Sequence, residues 1–210
     1  MSTPRRIASA ALLLLALAGC GVLPTKEPMQ IIASQAQVAP DPSWPQVAWQ
    51  LNVMRPNAAE ILDSRRLAVV PAPGQIQVYK GVSWDDTLPD IVQDTLVHAF
   101  EDSGKILAAA HQNNGLRTDF TLQLEIRDAQ AVYRTPAGPP EIDLVITAKL
   151  IDSNTSRALA SHTFRQAVPA GGTAVPQVAQ AFDTALGTNV HDIVGWTLVS
   201  GEQARAAAKR

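Results

Sequence analysis

A mixed, mainly antiparallel sheet with two long amphipathic helices packed on one face, a two-layer α/β (α+β) sandwich, is the architecture this sequence predicts. Three observations point to it. Leu88, Ile91, Val92, Thr95, Leu96, Ala99 and Phe100 recur at helical spacing, and so do Val175, Val178, Ala179, Phe182, Leu186, Val190, Ile193 and Val194, giving two apolar stripes that need cover. Phe120, Leu122, Leu124 and Ile126 alternate with Thr121, Gln123, Glu125 and Arg127, the period-two pattern of a strand with one wet face. Short turns then join this strand to two more alternating runs, and short turns make antiparallel neighbours.

In chain order, Arg5 and Arg6 precede an apolar run from Ile7 to Leu17. The run is too short to cross a bilayer as a stable helix, which needs about 20 residues. Positive, then apolar, then small is the order of a secretory signal, here residues 1–19. It ends in Leu17-Ala18-Gly19-Cys20, which resembles the bacterial lipobox. That resemblance implies cleavage before Cys20 and lipidation of its sulfur. Ala18 and Gly19 let a peptidase approach the backbone, and only a thiol accepts a diacylglyceryl group through sulfur. The competing reading is an ordinary secretory signal with a chance cysteine. Against it, Cys20 is the sole cysteine, and an unpaired thiol fits an oxidising compartment poorly. Acyl chains would hold the protein stably, at about 0.8 kcal/mol per buried CH₂. Gly21 stands where an aspartate would argue for retention in the inner membrane. By resemblance to the usual sorting rule, the outer membrane, facing the periplasm, is the expected address.

Residues 20–45 contain Pro24, Pro28, Pro40, Pro42 and Pro45 with no sustained period, and read as an extended tether reaching up to about 80 Å. Residues 46–200 form the domain. A first strand is expected over Val47–Val53. Leu67–Pro71 reads as a buried strand closed by a proline, and Gln75–Tyr79 as a weaker one stopped at Gly81. Asp85 to Thr87 cap the first helix, Pro89 fits its first turn, and Gly104 ends it in a left-handed conformation. Ile106–Ala110 follows as a short strand and Gln112–Arg117 as a loop. After Asp128 the inward set switches to Ala129, Ala131 and Tyr133, a one-residue phase change that predicts a β-bulge near Asp128. Thr135–Pro140 is a rigid turn, Ile142–Leu150 the next strand, Asp152–Ser156 a polar hairpin loop and Ala158–Phe164 its partner. Gly171-Gly172-Thr173 opens a second helix of about 25 residues on its apolar period. Residues 201–210, rich in alanine and charge, are expected to be a disordered tail.

Arg5 and Arg6 leave with the signal, so 15 of the 17 basic residues remain against 19 acidic ones. A mildly negative surface is no nucleic-acid footprint. The four histidines, His98, His111, His162 and His191, stand at no metal-ligand spacing. Asp85-Asp86 is better explained by helix capping than as a catalytic carboxylate pair. Gly171-Gly172 lacks the lysine of a phosphate loop, there is no Gly-x-Ser-x-Gly elbow, and the single thiol is committed to lipid. The reading is a non-enzyme with no cofactor. Trp84 and Trp196 read as core or helix-anchoring residues more than as binding hot spots. Trp49 lies beside the tether, where a strand is often a sheet edge open to a partner.

One block goes further. Val78-Tyr79-Lys80-Gly81-Val82-Ser83-Trp84-Asp85-Asp86, Leu88-Pro89 and the helix to Asp102-Ser103-Gly104 resemble the signature region of the ABC-type transport auxiliary lipoproteins, the PqiC-like family. The likeness continues through Leu122–Ile126, Ala148–Asp152, Ala158–Phe164, Val178–Phe182 and Ile193–Trp196, covering most of residues 45–197 in order. It implies a non-enzymatic part of a lipid-transport system, in which an ABC permease and ATPase work with an MCE (mammalian cell entry) protein that forms a periplasmic conduit. The lipoprotein would dock the conduit's end, alone or as a ring-like homo-oligomer, on a surface containing Trp49, Val78, Tyr79 and Trp84. A carrier holding lipid between sheet and helices, and a structural outer-membrane assembly lipoprotein, remain as alternatives. A carrier needs an apolar pocket of about 300 Å³ or more, whereas docking needs a filled core and an exposed edge or patch.

Overall fold

The computed structural model describes residues 29–111, 117–135 and 138–208. The signal, Cys20, most of the Gln112–Arg117 loop, and residues 136–137 of the turn before the second long strand lie outside them. The described elements run β1 Gln30–Ile32, β2 Gln50–Val53, β3 Asn57–Ala58, β4 Ala68–Ala72, β5 Gln75–Val78, β6 Val82–Trp84, α1 Leu88–Asp102, β7 Ala108–His111, β8 Phe120–Val132, β9 Glu141–Asp152, β10 Ala158–Pro169 and α2 Val175–Ala208. The fold is mixed α+β, as expected from the periodicities.

Its spine is the antiparallel meander β8–β9–β10. The other edge of β8 is served in succession by three short parallel strands, β2 at Phe120–Leu122, β3 at Glu125–Ile126 and β4 at Gln130–Val132. Pro56 falls between the first two of these and has no N–H to continue a ladder. β7 pairs with β2, β5 closes a hairpin on β4, and β1 and β6 form a separate parallel ribbon. The bulge expected near Asp128 is present, as the β8–β9 register shifts between Ile126 and Asp128. It keeps the apolar side chains on one face. Phe120, Leu122, Leu124 and Ile126 are buried before it, and Ala129 and Ala131 after it.

On β9, Ile142, Leu144, Ile146, Ala148 and Leu150 all point into the core. α2 packs over β9 and β10, α1 over β7 and β2, and the helices touch each other. Thr87 precedes α1, with Pro at its start, and Gly104 at its end has φ +60° as expected. Asn189, fully buried on α2, donates from Nδ2 to the Leu144 carbonyl at 3.3 Å. Leu144→Ala is expected to cost about 2–5 kcal/mol, since it removes a fully enclosed side chain. Urea unfolding would show this as a lower midpoint with an unchanged slope.

Two boundary expectations are corrected. The stretch read as a tether to residue 45 is held against the domain from Gln30 onward. β1 pairs with β6, the Asp85 N–H donates to the Ile32 carbonyl at 2.9 Å, and the Ser34 hydroxyl donates to Asp183 at 2.7 Å. Further along, Lys105 Nζ and the Val47 N–H tie residues 42–47 to the far end of α1. The prolines forbid a helix here, but an extended arm still has an N–H or C=O at most positions to offer a neighbour. The tail is corrected likewise: α2 continues to Ala208, Gly201 is buried, and Arg205 donates to the Ala48 carbonyl at 3.1 Å.

Glycines make room for the arm along α2. An added Cβ would lie 2.7 Å from the Gln37 carbonyl oxygen at Gly187, 2.6 Å from Trp44 Nε1 at Gly195 and 2.5 Å from Trp49 Cζ2 at Gly201. Glycine inside a helix costs up to about 1 kcal/mol relative to alanine, so close approach is the reason for it here. Trp49 is fully enclosed and cannot step aside. Gly201→Val should therefore destabilise by about 1–3 kcal/mol through overpacking, seen as a lower thermal midpoint.

Candidate functional site

The four residues expected on a partner surface separate into two pairs. Trp49 is 0% exposed and meets Phe120 edge-on with ring centroids 5.0 Å apart. Its strand is not an edge, because β2 lies between β8 and β7, and the ordered sheet ends at β10 and β7. Trp84 is 2% exposed and rests on Phe182, 4.9 Å between centroids. Both are core residues, since the arm and helices cover more of the sheet than a free tether would. Val78 and Tyr79 remain half-exposed at the end of β5. The Tyr79 hydroxyl lies 3.0 Å from that of Tyr133, and burial together with this contact holds the Tyr79 phenol above its ordinary pKa. Val78 lines an open groove of about 500 Å³ with Glu60, Ile61, Asp63, Ser64 and Arg66. Cys20 lies outside the described residues.

An ionic cluster missed by sequence reasoning shapes this region. Arg55 bonds to Asp63 at 2.7 Å, Asp90 at 2.6 Å and the Thr87 hydroxyl oxygen at 2.9 Å. The Thr87 hydroxyl donates to Asp90. Arg55 thereby ties the chain between β2 and β3 to the loop before β4 and to the first turn of α1. Its partners lie 8 and 35 residues away, so no local motif announces them. The Arg55 guanidinium holds both carboxyls below the usual aspartate range. A depressed folded pKa contributes stability above the unfolded value and loses it as pH falls through the folded one. The cluster's contribution should thus be complete above about pH 4 and fade below it. These groups are over a third exposed or nearly so, which limits the effect to roughly 1 kcal/mol. Thermal melts from pH 7 to pH 2 should show a shallower acid decline for Arg55→Met than for the parent chain.

The space between sheet and helices is filled. Leu51, Leu122, Leu144, Ile146, Val190 and Val194 meet there at 0% exposure. An open groove of about 580 Å³ lies between residues 34–38 and α1. Ala36, Val38 and Ile91 form part of its floor, and Asp85, Asp86, Asp94 and Asp102 border it. On its α1 side, Asp94 pairs with His111 Nε2 at 2.7 Å. His162 meets Phe164 edge-on, and His191 lies tilted against Trp44. Asp183 is pulled two ways: burial raises its pKa, while hydrogen bonds from Ser34 and the Gln35 N–H lower it. Among the described residues no three His, Cys, Asp or Glu side chains gather as metal ligands, and no helix is long and apolar enough to cross a membrane.

Such features define a compact α+β domain whose chemistry is presented at its surface. Residues 30–194 match the family described as the ABC-type transport auxiliary lipoprotein component, and the chain belongs to that family. The crystal structure of protein XCC0632 from Xanthomonas campestris is similar at 41% identity, with a TM-score of 0.81, covering 84% of this chain and 99% of that one. A further uncharacterised protein of known structure shares the fold at 12% identity and a TM-score of 0.60, over 80% of this chain and 97% of that one. An uncharacterised protein of Bradyrhizobium diazoefficiens is 22% identical over 150 residues, 71% of this chain. The chain spans only 40% of that relative's length.

Proposed function

We propose that this auxiliary lipoprotein is anchored by acyl chains on Cys20 to the periplasmic face of the outer membrane and docks the end of an MCE-type conduit served by an ABC permease and ATPase. The observation that supports docking over carriage is the filled interior. A lipid seated between sheet and helices would have to displace side chains that are fully enclosed, such as Leu144 and Val190. The open groove beside α1 is bordered by carboxylates, a poor lining for acyl chains. The family supplies no catalytic residues, and the protein acts by holding its partners in place.

The half-exposed Val78, in its groove on the approach to α1, is the surface position best suited to a partner. Two measurements test the reading. Membrane fractionation should find the full chain with the outer membrane and Cys20→Ser in the soluble periplasm. Pull-down of the MCE protein encoded in the same genome should succeed with the parent chain and weaken at least tenfold with Val78→Arg, the circular dichroism spectrum being unchanged. Lipid copurifying in the mass spectrum of the domain would instead favour carriage.

A further inference from the structure

Met29 and Ile31 are 66% and 68% exposed, the most exposed of the large apolar side chains among the described residues, with Leu107 next at 64%. They are not on a loose end. Gln30, Ile31 and Ile32 pair in register with Val82, Ser83 and Trp84, and the Gln30 N–H donates to the Gly81 carbonyl at 2.7 Å. On the other side of β6 runs the segment 65–67: the Trp84 N–H donates to the Arg65 carbonyl at 2.7 Å, and the Tyr79 N–H to the Leu67 carbonyl at 3.0 Å. Two exposed apolar side chains are thereby fixed on a rigid ribbon, with exposed Lys80 and Arg66 close by on the same framework. Arg65 is paired with Asp86 at 3.5 Å.

The position of this ribbon along the chain says what covers it. Met29 is nine residues after Cys20, and nine residues span at most about 32 Å when fully stretched. Because the arm is docked from Gln30 onward, the reach of the anchor ends there and not at residue 45. The ribbon also stands near the end of the sheet where β4 meets β8, at Ala68 and Gln130. Leu107 and Leu159 mark the opposite end, beside the pairs Gln50–Ala108 and Ala158–Ile151. About ten strand residues, or roughly 33 Å, separate the two ends along β8.

We infer that the β1–β6 ribbon is the face on which the domain seats against the lipid bilayer, with Met29 and Ile31 entering the interface and Lys80 and Arg66 near the headgroups. This deepens the proposed function and rests on the lipidation of Cys20. Apolar side chains beside cations are the combination that binds a membrane surface. The Val78 groove includes Arg66 in its wall, so a partner docked there is held next to the membrane.

The test uses the full lipidated chain in vesicles of phosphatidylethanolamine with phosphatidylglycerol. Cys20 is the only cysteine and its sulfur is acylated, so Ile31→Cys and, separately, Leu159→Cys each introduce one free thiol for an environment-sensitive fluorophore. The label at position 31 should shift to the blue on vesicle addition and be quenched by spin-labelled lipid. The label at position 159 should stay in water and be quenched by iodide. If both chains float with the vesicles yet the label at 31 remains open to iodide, the seat is wrong while the anchor stands. A blue shift at 31 before vesicles are added would assign the ribbon to a protein contact and overturn the inference. Chains that fail to float refute the anchor, and the seat with it.

Discussion

The fold depends on covering the inward face of one hairpin, β8 with β9. Each strand places an apolar side chain inward at every second position, and together they give the sheet a continuous face that water would penalise. Two helices do the covering. The bulge at Asp128 matters because without it the second half of β8 would turn its alanines outward and Asp128 and Gln130 inward. A single unpaired residue thus decides whether the core is contiguous. The alanines at 129 and 131 are small where the sheet curls toward β4.

Once the helices are down, their outer sides still expose apolar surface, and the arm covers it. Residues 30–49 run from the start of α1 to its end and lie on the glycines of α2. The chain's beginning and end are joined there, Arg205 reaching the backbone at Ala48. The close approach makes the arm part of the domain from Gln30 onward. Hydrogen bonds from Arg55 to Asp63, Thr87 and Asp90 tie together the region between β2, β4 and α1, and Asp63 stands in the wall of the groove beside Val78.

The interior of the described domain is occupied by its own side chains, so what it presents to its surroundings is surface. Asp85, Asp86, Asp94 and Asp102 border the groove along α1, while Arg66 shares the groove beside Val78 with Glu60 and Asp63.

The sequence alone determined the two helices, the meander, the bulge and the glycine that ends α1, because each is written in a local period or in a residue whose backbone preference is strong; the side-chain cap expected from Asp85 to Thr87 is not made. The likeness of Leu17-Ala18-Gly19-Cys20 to a lipobox is legible for the same reason: that chemistry requires adjacent residues. Trp49 shows where such reading stops. It sits in a pattern compatible with an exposed edge, and only the tertiary structure, by laying α2 over it, decided that it is core. Likewise the Arg55 cluster and the β1–β6 pairing join residues far apart in the chain, and nothing near either partner specifies the other. Local periodicity records which face of an element wants burial. Which neighbour buries it is settled only when the whole chain has packed.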